Sequence, residues 1–214
     1  MRVGRNHVIG RLFAPTLAIA AVAVAAASLA LAQTGAAPPP IVPRSAWGAK
    51  PAVTEMMKPQ SAREIVIHHT AVKQQPKLSL ERKLRGLQGF SQNPGTVNGR
   101  PKVAWGDMPY HFYIDSAGRI GEGRDVVYAG DTNTKYSTAD RIQIVLEGDF
   151  NTEEPSPAQL EALDRLVIWL ARKYRVPPGK VSGHNDHVST DCPGKHLKSY
   201  LPMLRDKVGK ASPR

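Results

Sequence analysis

GHNDHVSTDCPGK, residues 183–195, concentrates the chemistry of this chain in one short stretch. It holds His184, His187 and Cys192, the only cysteine of the chain, which therefore has no intrachain disulfide partner. An imidazole and a thiolate placed before a Pro193–Gly194 turn are donors that zinc accepts. Seven residues separate His184 from Cys192, too many for one helical turn and natural for a loop that folds back on itself. A second source of imidazole lies upstream in IVIHHTA, residues 65–71, at His68 and His69. Side chains alternate faces along a strand, so only one of that pair can point into a shared site. Spacing leaves open which one, and His187 is a further candidate. Two His and one Cys make three protein ligands with a fourth position open to water, the catalytic pattern of a zinc site and not the structural one.

Outward from these two segments the chain reads as alternating strands and helices. Glu64–His69 is a short β-branched strand. Leu78–Phe90 carries Leu80, Leu84 and Leu87 at helical spacing, with Ser79 as N-cap. Residues 93–106 read as a Gly/Pro/Asn-rich loop. Tyr110–Ile114 and Arg119–Gly123 form a hairpin around the turn Asp115–Gly118. Residues 131–140 are polar and loop-like, and Ile142–Leu146 is an apolar strand. Ser156 caps a helix with Pro157 in its first turn and Leu160, Leu163, Leu166, Val167 and Leu170 on its buried face. Val181–His184 is a short strand, and Ser199–Val208 a last helix with Pro202 in its first turn. Strands mixed with helices throughout predict an α/β fold: a single domain with a central mixed β-sheet flanked by helices, and the zinc site in a surface cleft.

The ends and the charge bound the setting. Arg2, Arg5 and Arg11 precede an apolar run, Leu12–Ala32, that closes on Ala30-Leu31-Ala32, a signal-peptidase pattern. Residues 1–32 are therefore expected to be an export signal, the alternative being a retained membrane anchor; no cysteine follows the cut to take a lipid. Residues 33–43, with Pro38–Pro40, read as an extended spacer, and residues 44–210 as the folded domain. The 214-residue chain carries 29 Lys+Arg against 18 Asp+Glu, a net charge of +11, of which the leader's arginines hold three. A basic exported protein suits an anionic envelope polymer. Nucleic acid is not expected as a partner, because there is neither a long basic helix nor an aromatic ladder. The expected location is the periplasm or the extracellular medium, with membrane contact only through an uncleaved N-terminal segment. Oligomeric state is not encoded in any visible pattern.

Six segments in order, IVPRSAWGA (41–49), IVIHHTA (65–71), WGDMPYHFYID (105–115), GRIGEGRD (118–125), LEGDFN (146–151) and GHNDHVSTDCPG (183–194), resemble the zinc-dependent N-acetylmuramoyl-L-alanine amidases of the type 2 amidase and peptidoglycan recognition protein family. The resemblance spans about residues 41–207. It implies Zn²⁺ held by His68, His184 and Cys192, a catalytic tyrosine at Tyr110 and a helper at Thr190, two positions before the cysteine. Members that bind peptidoglycan without cutting it usually lack the cysteine, which this chain keeps. The implied reaction is hydrolysis of the amide between N-acetylmuramic acid and L-alanine, with peptidoglycan or a muropeptide as substrate. The alternatives are a non-catalytic peptidoglycan-binding module and a zinc peptidase acting within the stem peptide. Related bacterial amidases place a carboxylate base on the strand matching Ile142–Glu147, and Glu147 is the one carboxylate on that face. Glu122 and Asp125 are expected to pair with Arg124 or to face solvent. Trp47 and Trp105 are candidates for a glycan cleft or for the core. The chain departs from the family pattern at Pro109, where glycine is frequent, at Ser91, where histidine is common, along DTNTKYSTADRIQ (131–143), and in an insertion at 93–103.

Overall fold

A computed structural model describes residues 37–97 and 99–211, with Met1 and Gly4; the expected export signal otherwise lies outside the described residues. Six strands form one mixed sheet: β1 (Ile41–Val42), β2 (Glu64–His69), β5 (Phe112–Ile114), β6 (Ile120–Glu122), β7 (Arg141–Leu146) and β8 (Val181–Gly183), in the order β1-β6-β5-β7-β2-β8. Only β5 and β6 run antiparallel. β7, β2 and β8 are parallel neighbours, with Val66 opposite Gln143 and His68 opposite Val145. A separate hairpin, β3 (Gly95–Val97) with β4 (Arg100–Lys102), occupies the stretch expected to be loop. Among the described residues no helix is long and apolar enough to cross a membrane.

Helices cover both faces, which is why Ile65–Ile67 of β2 and Ile142, Ile144, Val145 and Leu146 of β7 are apolar and buried. Ile65, Ile67, Ile142, Ile144 and Leu146 pack against α3 (Pro157–Tyr174) and α4 (Lys195–Ala211) through Leu163, Leu166, Leu170, Leu197, Leu201 and Leu204. On the other face Val145 and Tyr113 meet Leu80 and Leu84 of α2 (Leu80–Gln92), together with Met108 and Trp47 from α1 (Arg44–Trp47). Trp47 is wholly buried and its Nε1 donates to the Glu122 carbonyl, so it belongs to the core and not to a glycan cleft.

Local signals place the helix starts. Ser79 Oγ accepts from Arg82 N, and Ser156 and Gln159 form a reciprocal capping box with Pro157 at the first position. The last helix departs from expectation. It begins at Lys195, not Ser199, which puts Pro202 inside it. Pro202 is tolerated because it sits on the solvent face, where water can satisfy the carbonyl whose partner it lacks, while Leu197, Leu201, Leu204 and Val208 hold the buried side. The hairpin is fastened by Lys102, whose buried ammonium donates to the carbonyls of Ser91 and Asn93 at the α2 C-terminus and of Val103, and lies 4.6 Å from the Trp105 ring.

Arg124, expected to pair with Glu122 or Asp125, instead bonds the carbonyls of Met108, Asp107 and Ala129 and pairs with Asp131. Glu122 accepts from Arg44 N. This guanidinium ties the segment carrying Tyr110 to the loop at 129–131. His111, wholly buried beside it, accepts from Gln143 N at Nδ1 and donates from Nε2 to the Tyr128 carbonyl. Burial pulls the His111 imidazole down to about 4 from an ordinary 6.5. Between those values the unfolded chain binds a proton that the folded chain refuses, so stability is full above about pH 6.5 and falls as the pH drops toward 4. The expected loss is on the order of 3 kcal/mol. Urea unfolding from pH 7 to 4.5 with chelator present, where His68 and His184 act in the same direction, should show it, and His111→Gln should flatten the slope. A pH-independent midpoint in the wild type would contradict the assignment.

Candidate metal centre

His68, the penultimate residue of β2, lies on the face shared with Val66, Gln143 and Val145. His184 follows β8 directly, in a short 3-10 turn. Cys192 is brought back by the loop that Pro193 and Gly194 close. Gly194 has φ +88° and a Cβ there would lie 2.5 Å from the Phe150 carbonyl carbon, so only glycine lets the cysteine loop seat against this backbone. The ligand atoms of His68, His184 and Cys192 all lie within 4.8 Å of one another, with Cys192 Sγ 3.5 Å from His68 Nδ1. Among the described residues no other group of three His, Cys, Asp or Glu side chains is so placed.

The strand-end pair divides as alternation requires. His68 points into the site, while His69 turns to the other face, where its Nδ1 accepts from Phe150 N; its backbone N–H reaches Cys192 Sγ at 3.5 Å. His187 stays outside the group, 2.8 Å from Ser182 Oγ and stacked on Tyr136. Thr190 Oγ1 accepts from Cys192 N, so it braces the cysteine loop. Tyr110 tilts against His68 with ring centroids 5.2 Å apart. Burial, then the nearby Cys192, raises the Tyr110 phenol above its usual range, so it stays protonated and able to donate. Glu147 is not brought into the group. It lies just past β7, and its carboxylate accepts from Lys83 Nζ, Gln75 N and Ser116 N. Those bonds pin the loop after β2 and the base of α2 to the sheet.

The donors suit a borderline-soft cation. Burial, followed by the mutual repulsion of the imidazoles, lowers His68 to about 3, and burial lowers His184 to about 4, so both rings are neutral with a lone pair to offer. Burial pushes the Cys192 thiol up to about 12, against the His69 N–H bond that lowers it. A thiol so placed needs a cation to ionise, and binding one would release its proton. Two imidazoles and a sulfur with no carboxylate among them are ligands for zinc and not for magnesium or calcium.

Three contacts here lie in residues that pattern reading passed over. Gln143 Oε1 is 2.6 Å from His68 Nε2 and accepts from the Tyr136 hydroxyl; Thr134 Oγ1 is 2.8 Å from His184 Nε2. Thr134 and Tyr136 belong to the polar 131–140 loop, where composition carries no signal. Gln143 did carry one, a polar residue inside the apolar run RIQIVL.

Beside the centre runs a groove of about 670 Å³ with Tyr110 and Pro109 at the near end and Leu87, Phe90, Val97 and Trp105 further along. Lys73 and Arg82, both exposed, also line it. The β3–β4 hairpin thus supplies part of a wall, through Val97.

An α/β sheet with a three-donor His–His–Cys group beside such a groove defines a domain with a candidate mononuclear metal centre. The chain belongs to the N-acetylmuramoyl-L-alanine amidase family, whose profile matches residues 58–195. It is 31% identical over 164 residues to peptidoglycan recognition protein 1 of Mus musculus, covering 75% of this chain and 85% of that protein. It is 30% identical over 171 residues to an N-acetylmuramoyl-L-alanine amidase of Sus scrofa, covering 76% of this chain but 27% of that larger protein. Among solved structures, Drosophila PGRP-LB superposes with a TM-score of 0.63 at 28% identity, covering 76% of this chain and 92% of that one. The amidase LysC of Clostridium intestinale superposes with a TM-score of 0.57 at 25% identity, covering 79% and 97%.

Proposed function

We propose that this chain is an exported zinc hydrolase that cleaves the amide between N-acetylmuramic acid and L-alanine in peptidoglycan or its fragments. The observation that carries this reading is the convergence of His68, His184 and Cys192, with Tyr110 packed against His68 and lining the adjacent groove. An amide is uncharged and resonance-stabilised, so its hydrolysis needs an activated water and a sink for oxyanion charge. His68, His184 and Cys192 would hold zinc, which when bound would supply Lewis acidity and water activation at neutral pH.

The chain's own groups do the rest. Tyr110 donates its phenolic hydrogen to the carbonyl oxygen as negative charge develops there. Thr190 keeps the Cys192 loop in place and offers its hydroxyl on the opposite side. Glu147 we assign to holding the groove wall instead of acting as base, because its carboxylate already satisfies Lys83 and two backbone N–H groups. Lys73 and Arg82 suit the carboxylates of a stem peptide, and Trp105 offers an apolar face to a sugar.

Mass spectrometry of digested muropeptides, with and without chelator, tests the reading. The expected products are free glycan and a peptide that begins with L-alanine, both lost when zinc is removed. A zinc-loaded protein that leaves muropeptides and sacculi intact would make it a binding module, and a new N-terminus other than alanine would make it a peptidase.

A further inference from the structure

Both imidazoles of the centre are engaged on their Nε2 side, and we infer that Gln143, braced by Tyr136, is the positioning residue that holds His68 in the tautomer able to bind a cation, with Thr134 serving His184 in the same way. The inference rests on the metal-centre reading above. Gln143 sits in a central strand between Ile142 and Ile144, and the Val66–Gln143 register puts it on the face of His68. A carbonyl oxygen only accepts. At 2.6 Å from Gln143 Oε1, His68 Nε2 therefore carries the proton, and Nδ1, the atom facing Cys192 Sγ, keeps its lone pair.

The amide is held in that orientation. Its Oε1 also accepts from the Tyr136 hydroxyl at 3.2 Å, and the Tyr136 ring lies between His184 and His187, with centroids 4.7 and 5.7 Å away. A Cβ on Gly130 would come within 2.9 Å of Gln143 Cγ, so the side chain has no room to swing that way. Gln143 Nε2 is buried without a hydrogen-bond partner. An amide serving only to fill space would be better replaced by leucine; this one is oriented for its oxygen at the expense of its nitrogen. On the second ring, Thr134 Oγ1 meets His184 Nε2 at 2.8 Å and Thr132 Oγ1 at 2.7 Å, so the hydroxyl can accept from the imidazole while donating to Thr132. Outer partners of this kind orient metal-binding histidines and raise their basicity.

Zinc affinity, measured by competition with a chromophoric chelator on the full chain, tests this without reference to turnover. Gln143→Leu, which keeps the volume and removes the acceptor, should weaken zinc binding about 10–100-fold. Gln143→Glu, which restores an acceptor oxygen, should bind at least as tightly as wild type. With saturating Co²⁺ the leucine variant should still show thiolate-to-cobalt absorption, because Cys192 is untouched. Thr134→Val, in an irregular loop, should weaken binding about 10-fold and supplies the same comparison should the strand variant fail to fold. Wild-type affinity in Gln143→Leu, or in Thr134→Val where that variant stands in, or an equal loss in the leucine and glutamate variants, would overturn the inference while leaving the metal centre standing. A wild-type chain that binds no zinc would overturn both.

Discussion

Cys192→Ser is expected to empty the metal centre. Outer-shell partners of a zinc ligand are already worth about 10–100-fold in affinity, and loss of a direct sulfur donor should exceed that range. The remaining pair, His68 and His184, is a poor site for zinc in competition with chelators, and hydrolysis should disappear with the metal. The fold should persist, because the polar contacts of Cys192 Sγ among the described residues are to His69 N and His68 Nδ1, and a serine oxygen can accept the first. The measurement is zinc content after dialysis, paired with stem-peptide release and circular dichroism. Full zinc occupancy and unchanged release in a folded Cys192→Ser protein would remove the sulfur from the centre and the proposed chemistry with it.

Tyr110→Phe should separate metal binding from turnover. Removing one donor to a developing oxyanion typically costs about 10²–10³ in rate, or ~3–4 kcal/mol. Zinc content should not change, since the phenol is not among the ligand atoms, and KM should move little, since the ring still lines the groove. The phenol suits this task because burial keeps it protonated at neutral pH. A wild-type kcat in the phenylalanine variant would reduce Tyr110 to a packing contact with His68.

Much of the architecture was legible because it depends on short-range rules. Ser79 and Ser156 cap their helices through a residue three positions on, and the β-branched Ile65–Ile67 run makes a central strand. Short-range rules mislead where more than one structure satisfies them. Pro202 drew the last helix start four residues too late, because proline favours a first turn but is also accepted on an exposed interior face. The 93–106 stretch concealed a hairpin because its Gly, Pro and Asn content dominates any strand pattern; a buried lysine cation, not an apolar run, fastens it.

Composition and motif order alone determined the donor chemistry, two imidazole sources and one thiol, and with it the family, since residue identity decides what an atom can bind. Only the tertiary structure decided which atoms meet. His68 rather than His69 faces Cys192, 124 positions away; Gln143 and Thr134 rather than Glu147 stand beside the imidazoles; and Trp47 is core while Trp105 borders the groove. The reason is that a strand turns alternate side chains to opposite faces, so the choice of His68 and Gln143 rests on the register of β2 against β7, and the placing of Thr134, Trp47 and Trp105 on how loops and helices pack over the sheet, none of which a local window of residues contains.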